Sequence, residues 1–412
     1  MWDTIQKLEY RARAGIADAR EELNTRLTDR LELPLSGLHG EKLFLTGVAA
    51  LRKKEAELDA LYQQLPEHRG TRDTILLDAW SSATIEGART TVQRVRECFD
   101  NPKTKDDRMV VNTIAGSRYA YGNPITSRNI RTLWEKVVDG VCENENCRGP
   151  LYRDDMVVVG SADRVIHVPA EPAQLPESMG QWFAYTETDS DDALIRSFAA
   201  HFYFVYLHPF CDGNGRTARI LNASQLYHAG YRKMKSLPLS SAINNQLSGY
   251  YSSLADSETV LGGTQDKWLD LSPFVSFMMD AFEHCLIDAA LADNNLTEAE
   301  KRLLEWMNHA GNHAEITVKK AAGILQMSDS GTRAVLNGLV NKGYLTVEKG
   351  SVCVNGVSLT VCNSKDDSFQ VAIIPYTHDH TNFCQIEKGT VVNLEFDIVG
   401  KYISRMMAYR ED

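Results

Sequence analysis

The sequence has no apolar run approaching the roughly 20 residues that a bilayer-spanning helix requires, which excludes that class of membrane protein. It has no internal repeat and no low-complexity tract. Its opening stretch, MWDTIQKLEYRARAG, carries charge every few residues and lacks the apolar centre of a signal peptide. Proline is scarce, at 12 of 412 residues, and glycine is ordinary at 27, so collagen-like and wholly disordered readings fall away. The eight cysteines, at 98, 142, 147, 211, 285, 353, 362 and 384, show no framework spacing. Cys142 and Cys147 lie closest, but no second Cys/His pair near them completes a zinc site. These absences predict reduced thiols in a cytoplasmic protein. Positive charge is also in deficit, with 44 Lys and Arg against 55 Asp and Glu and a net charge of −11. Bulk attraction to nucleic acid or a membrane surface is excluded, although a local basic patch is not.

What is present is an ordinary globular composition, 43% hydrophobic and 24% charged, long enough for two to four domains. Residues 1 to about 140 read as helical, with periodic stretches such as EKLFLTGVAALRKKEAELDALYQQL at 41–65. MVVVGSADRVIHVP at 156–169 has two β-branched runs around a turn and reads as a hairpin. Helices then continue to about 292. From Thr297 three short helices and a strand resemble a winged helix-turn-helix. From Gly350 apolar and polar residues alternate, and Asn355-Gly356 suits a tight turn. The expectation is a mainly α chain with a small β-hairpin and a β-rich C-terminal partial barrel. It divides into an N-terminal helical region at 1–70, a helical core at 71–292, a winged helix at 297–349 and the β-rich part at 350–412.

The chemistry concentrates in HPFCDGNGRTAR, residues 208–219. Gly213, Asn214 and Gly215 precede a helical run, and backbone N–H groups at such a helix start suit phosphate. Arg216 and Arg219 lie three apart on one helical face and can each clamp phosphate oxygens. Asp212 offers a hard oxygen to Mg²⁺, and His208 suits a general base because imidazole titrates near neutrality. Alone, each residue also reads as an ordinary turn or helix end. Within twelve residues they compose a nucleotide site.

This stretch matches HxFx(D/E)GNGRxxR, the signature of the Fic family, at every fixed position, and the chain from roughly 70 to 290 resembles that family. The resemblance implies an all-helical core that transfers AMP from ATP to a Ser, Thr or Tyr hydroxyl of a target protein, releasing pyrophosphate. His208 would deprotonate the hydroxyl, Asp212 would hold Mg²⁺ and Phe210 would anchor the loop. Gly213, Asn214 and Gly215 would cradle the α- and β-phosphates, Arg216 would bind phosphate and Arg219 would reach the γ-phosphate. SSATIEGAR at 81–89 matches the family's inhibitory motif through Ser82, Glu86 and Gly87. A Glu86 carboxylate paired with Arg219 would withhold the cation that orients the γ-phosphate. The hairpin at 156–169 matches the family's flap, which aligns the target by strand addition, and an ordinary surface hairpin is its competitor. Tyr250 and Tyr251 fall where relatives place residues near the adenine. Adjacent helical residues face different ways, so at most one serves, and core packing suits either.

In the winged-helix stretch Lys319, Lys320, Arg333 and Lys342 are the only candidates for DNA contact, so docking or dimerisation is favoured over DNA binding. GSVCVNGVSLTV (350–361), IIPYTHDHTNF (373–383) and VVNLEFDIVGKYISRM (391–406) resemble the second half of a lumazine-binding barrel of the riboflavin synthase α chain. With half the barrel missing, synthase activity is not expected. Flavin or lumazine contact through Thr360 and Thr377 stays open, and exposed strand edges suit a homodimer. Two alternatives to the transferase stand beside it. One is a DNA-associated regulator or nucleotide sensor, and the other is transfer of a different phosphate-containing group.

Overall fold

A computed structural model describes residues 2–65, 72–142, 151–161, 164–188, 192–264, 266–291, 296–310 and 316–341. Beyond these it describes 351–354, 357–362, 370–371, 381, 386, 389–392 and 394–396. By contact the chain divides into two units, Met1–Ile316 and Thr317–Asp412. The class is mainly α, as expected, with small sheets.

The first unit opens with helices α1 (Ile5–Arg13) and α2 (Ala17–Thr28). Strands β1 (Arg30–Ser36) and β2 (Lys42–Thr46) follow, and then helix α3 (Val48–Gln64). The two strands correct the expectation of a helical stretch through 140, and the 41–65 run splits into a strand and a helix. The physical reason is a partner remote in sequence. β2 pairs in parallel with a strand more than 200 residues downstream, Leu43 opposite Leu269, and local periodicity cannot report that pairing.

Helices α4 (Arg72–Ile85), α5 (Val92–Glu97), α6 (Lys105–Gly122) and α7 (Ile130–Val138) come next. α6 begins at a capping box in which Asp107 N–H donates to Thr104 Oγ1 and Thr104 N–H donates back to the Asp107 carboxylate, both at 3.1 Å. The expected hairpin is present as β3 (Val159–Ser161) and β4 (Arg164–His167), with Val159 opposite His167. Helices α8 (Leu175–Thr186), α9 (Ala193–Leu207) and α10 (Asn214–His228) lead to the centre of the unit. α9 is apolar nearly all round and almost wholly buried, packed against α8, α10 and α13 (Ser272–Leu291), as such a composition requires. It has no capping side chain of its own. Glu55 of α3 supplies the acceptor, taking Leu194 N–H at 2.6 Å, and burial raises that carboxyl to about 7.

Between α10 and α13 lie α11 (Leu239–Asn245), α12 (Leu247–Ser257) and strands β5 (Leu261–Gly262) and β6 (Lys267–Asp270). These strands interrupt the helical run expected to 292 and complete a sheet of order β1-β2-β6-β5. The sheet is locked by a buried polar cluster. Asp270 accepts from Thr46 Oγ1 at 3.0 Å and Ser272 N–H at 3.0 Å, and it faces Arg26 of α2 at 3.4 Å. Helix α14 (Glu298–Ala310) ends the elements of this unit.

In the second unit α15 (Val318–Leu325) and α16 (Asp329–Asn341) match two of the three helices expected around 297–348. Strands β7 (Ser351–Val354), β8 (Val357–Cys362), β9 (Gln370–Val371) and β10 (Leu394–Phe396) pair in the order β10-β7-β8-β9. Val354 pairs with Val357, and the Asn355-Gly356 turn expected between them lies outside the described residues, as do Lys342 and Thr377. Among the described cysteines, Cys98, Cys142 and Cys285 are free, whereas Cys211 is disulfide-bonded. The expectation of wholly reduced thiols therefore fails at Cys211, because such pairing follows tertiary proximity that spacing does not report.

Removing one member of a buried, hydrogen-bonded ion pair strands the other. Asp270→Ala is expected to destabilise the protein by about 3–5 kcal/mol, read as a lowered urea midpoint. An unchanged midpoint would show that the cluster does not hold the sheet.

Candidate active site

His208 ends α9 in a left-handed conformation, with φ 52° and ψ 59°. That turn throws the chain out of the helix and into the loop that starts α10. The loop is folded from beneath. Phe210 is buried, stacked on Trp134 at a centroid distance of 4.9 Å, and Trp134 Nε1 donates to the Asp212 carbonyl at 2.8 Å. The Asn214 side chain closes the loop on itself, accepting from Phe210 N–H at 2.9 Å and donating to Phe210 O at 2.7 Å. That amide is therefore occupied, and what Asn214 offers outward is backbone. Gly213 caps α10 without a side chain, and the first N–H groups of α10 have no intrahelical acceptor.

The neutral form of His208 is fixed by one contact. Its Nδ1 lies 3.2 Å from the Val205 carbonyl, which can only accept, so Nδ1 carries the proton and Nε2 is left with its lone pair. Burial, with the neighbouring His167 and Arg153 charges, pushes the imidazole down to about 4 despite the opposing hydrogen bond to Val205 and the Glu86 charge.

Arg219 rises from the buried face of α10. Its Nε donates to Ser82 Oγ at 2.8 Å, and its Nη2 donates to Ser82 O and Glu86 Oε1, each at 2.8 Å. Among the described residues, Nη1 is buried with no hydrogen-bond partner. Glu86 stands where α4 stops. Ala88 N–H returns to Ala83 O and Gly87 N–H to Thr84 O, with Gly87 at φ 88°, a paired closure that glycine permits and most residues resist. Burial would raise the Glu86 carboxyl, but Arg219, with Arg216 and His208 behind it, outweighs burial and holds it below the usual carboxylate range. The carboxylate lies so close to Gly215 that a Cβ there would stand 2.1 Å from Glu86 Oε1. An anionic group thus already rests against the start of α10.

Arg216 differs from Arg219. It is fully buried, donating to Val137 O at 3.0 Å and lying 3.5 Å from Asp212 Oδ1. Asp212 is partly open, with Oδ1 turned to Gly213 N–H, and among the described residues no group of three or more His, Cys, Asp or Glu gathers as a metal cage. Tyr250 and Tyr251 separate as adjacent helical residues should. Tyr250 is core, bonded to His201 at 3.0 Å and packed on Phe274, while Tyr251 is half-exposed with its hydroxyl 3.3 Å from Ile85 O beside the end of α4.

Two residues of this region were not singled out in the sequence. Arg153 is buried and donates from Nε to the His208 carbonyl at 2.8 Å. His167, on β4, meets Tyr206 O and Glu258, each at 2.8 Å. A carbonyl and a carboxylate both only accept, so both ring nitrogens carry protons. The Glu258 and Tyr206 contacts outweigh burial and raise the His167 pKa. The one available signal was an Arg three residues ahead of the hairpin and a His at its end. Neither has a motif of its own.

These elements define a helical protein built around an anion site at a helix start, with an imidazole beside it and a carboxylate resting on it. Residues 124–226 match the model of the Fic/DOC family, and residues 317–397 match that of the lumazine binding domain. The second match begins before Gly350 and takes in α15 and α16. The chain is 26% identical over 298 residues to protein adenylyltransferase Fic of Drosophila virilis, covering 69% of this chain and 57% of that protein. It is 51% identical over 61 residues to riboflavin synthase of Actinobacillus pleuropneumoniae, covering 15% of this chain and 28% of that one. The chain therefore spans just over half of the Fic relative and about a quarter of the synthase. A Fic family protein from Desulfovibrio desulfuricans G20 shares the fold, with a TM-score of 0.50 and 20% identity over 71% of this chain and 89% of that one. The chain carries a Fic domain, and a lumazine-binding region follows it.

The His208 ring should remain neutral, with its proton on Nδ1, until the pH approaches about 4. A titration followed by ¹⁵N NMR of the ring checks this, and protonation between pH 6 and 7 would contradict the burial argument.

Proposed function

We propose that the Fic domain, read as residues 71–292, is a protein adenylyltransferase restrained by its own α4. The observation that carries this reading is the Glu86 carboxylate held at 2.8 Å by Arg219 and pressed against Gly215. An anion sits where the start of a helix and a buried arginine converge, which is the chemistry a polyphosphate requires. The intact imidazole beside it gives the site a base, which a pure nucleotide sensor does not need. The name of the Drosophila relative supports the same activity.

In this reading ATP lies along the start of α10, with its phosphates on the backbone N–H groups of Gly213, Asn214 and Gly215. Arg219 orients the γ-phosphate once Glu86 leaves. Arg216 contributes charge from beneath and supports the loop through Val137 O. Nε2 of His208 takes the proton from a Ser, Thr or Tyr hydroxyl of the target protein. The hydroxyl oxygen forms a bond to the α-phosphorus, the bond to the β-phosphate bridging oxygen breaks, and pyrophosphate leaves. Positioning and neutralisation of charge carry such a transfer. The partly open Asp212 carboxylate beside the start of α10 fits Mg²⁺, which keeps waters and binds substrate phosphates, so Asp212 would hold it. Bound there, the ion would neutralise phosphate charge.

The flap at 156–169 presents the target. Val158, Val165, Ile166 and Val168 are all more than half exposed, apolar side chains along a hairpin that an extended segment can join. Tyr251 is the better placed of the two tyrosines to meet the adenine. In the same reading the 297–349 segment is a winged helix for docking or dimerisation, and the 350–412 segment is a partial barrel whose strand edges suit a second copy.

Wild type, Glu86→Gly and His208→Ala, incubated with Mg²⁺ and α-labelled ATP, test the transfer. Label should be weak on wild type, at least tenfold stronger with Glu86→Gly, and absent from His208→Ala. Label on none of them with ATP still bound would overturn the reading. In the Glu86→Gly protein EDTA should abolish labelling and excess Mg²⁺ restore it. Labelling that persists in EDTA would remove Asp212 from the metal role.

A further inference from the structure

The Arg153 guanidinium is buried, yet no carboxylate pairs with it among its described contacts. Its donors are spent on backbone carbonyls: Nε on His208 O at 2.8 Å, Nη1 on Asp155 O at 2.8 Å and Nη2 on Ala170 O. Its own N–H donates to Pro209 O at 2.9 Å. Asp155 and Ala170 stand immediately outside the two ends of the 156–169 hairpin. One rigid fork therefore joins both roots of the flap to the residue proposed as base. Lysine, with a single ammonium, cannot span three such acceptors in fixed directions.

The carbonyl it holds belongs to a strained residue. His208 is one of two non-glycine residues with positive φ among those described. A β-carbon there costs on the order of 1–2 kcal/mol, so surrounding contacts must hold the turn. Phe204 O holds His208 N–H at 3.1 Å, Val205 O holds the ring, and Arg153 holds the carbonyl. The other end of the hairpin is tied to the same turn, because His167 donates to Tyr206 O and pairs with Glu258 of the segment after α12.

We propose that Arg153 is a positioning residue that registers the flap against His208, so that a hydroxyl on a segment paired to the flap arrives at Nε2. This rests on the transferase reading above. Its consequence is that acceptor geometry and nucleotide binding separate. Arg153 touches neither the start of α10 nor Arg219, so weakening it should misplace the acceptor and leave ATP alone. A misplacement of about 1 Å can cost on the order of 100-fold in rate.

The test places Arg153→Lys in the Glu86→Gly protein with Mg²⁺ and ATP. Three quantities are measured: the rate of AMP transfer at saturating ATP, the ATP dissociation constant by calorimetry, and the His208 ring by ¹⁵N NMR with amide hydrogen exchange over 156–169. The expected result is a rate roughly 10- to 100-fold lower, an ATP constant within about twofold of the parent, a displaced His208 ring signal and faster exchange in the hairpin. An unchanged rate, or an ATP constant that weakens in step with the rate, overturns the proposal. If the Glu86→Gly parent transfers nothing, the transferase reading fails, and the His208 signal and hairpin exchange decide the positioning contact by themselves. Should Arg153→Lys fail to fold, His167→Gln replaces it. That variant cuts the Glu258 tie at the other end of the hairpin and must show the same separation of rate from ATP binding; equal transfer to the parent overturns the proposal.

Discussion

A guanidinium buried in a helical core must be given acceptors, and Arg219 is the cation around which the site is arranged. Its residue is only 4% exposed. Ser82 and Glu86 reach it from α4, so the helix that satisfies the cation is also the helix whose end covers the start of α10. A guanidinium so buried would be costly alone, and the Glu86 carboxylate, whose side chain is 32% exposed, offsets that cost from the edge of the site.

The left-handed turn at His208 is the second constraint. It stops α9, aims the ring across the loop, and leaves the following carbonyls facing backward where Arg153 and the hairpin roots meet them. The Val205 carbonyl takes the Nδ1 proton, and burial keeps the ring neutral, so one conformational choice sets both the direction and the protonation of Nε2. The price is borne by a dense set of polar contacts rather than by the loop itself: Asn214 folded on Phe210, Trp134 on the Asp212 carbonyl, Arg153 on the His208 carbonyl.

The N-terminal strands serve the same core from outside. β2 and β6 come from opposite ends of the first unit in sequence, and the Arg26–Asp270–Thr46 cluster fixes their register beside α13. α3 contributes Glu55 to the start of α9, the helix whose other end is His208. The N-terminal region is thus part of the support of the Fic core.

Much of the site was legible because its residues are close in sequence and each does something only its own chemistry allows. Gly215 leaves room for an approaching anion, Phe210 anchors the loop, Arg219 carries the charge, and Ser82, Glu86 and Gly87 fall at spacings that share one helix end, whereas the Asn214 side chain, expected beside phosphate, closes the loop on Phe210 instead. The split between Tyr250 and Tyr251 followed from helical geometry alone. Arg216 was legible as a cation but not as one turned inward to Val137 O, since the direction of a long side chain depends on what packs beside it. Strands β1, β2, β5 and β6 were not legible, because the pairing that joins them into one sheet, β2 with β6, links segments more than 200 residues apart. Arg153 and His167 were hidden for a related reason. Their acceptors are mostly backbone carbonyls, which every residue possesses, and no side-chain pattern records where a carbonyl will point. Sequence by itself determined which reactive groups are present and which short turns carry them. Only the tertiary structure decided which of those groups meet and which way the flap is tied, because those outcomes depend on distances between segments that the chain brings together only on folding.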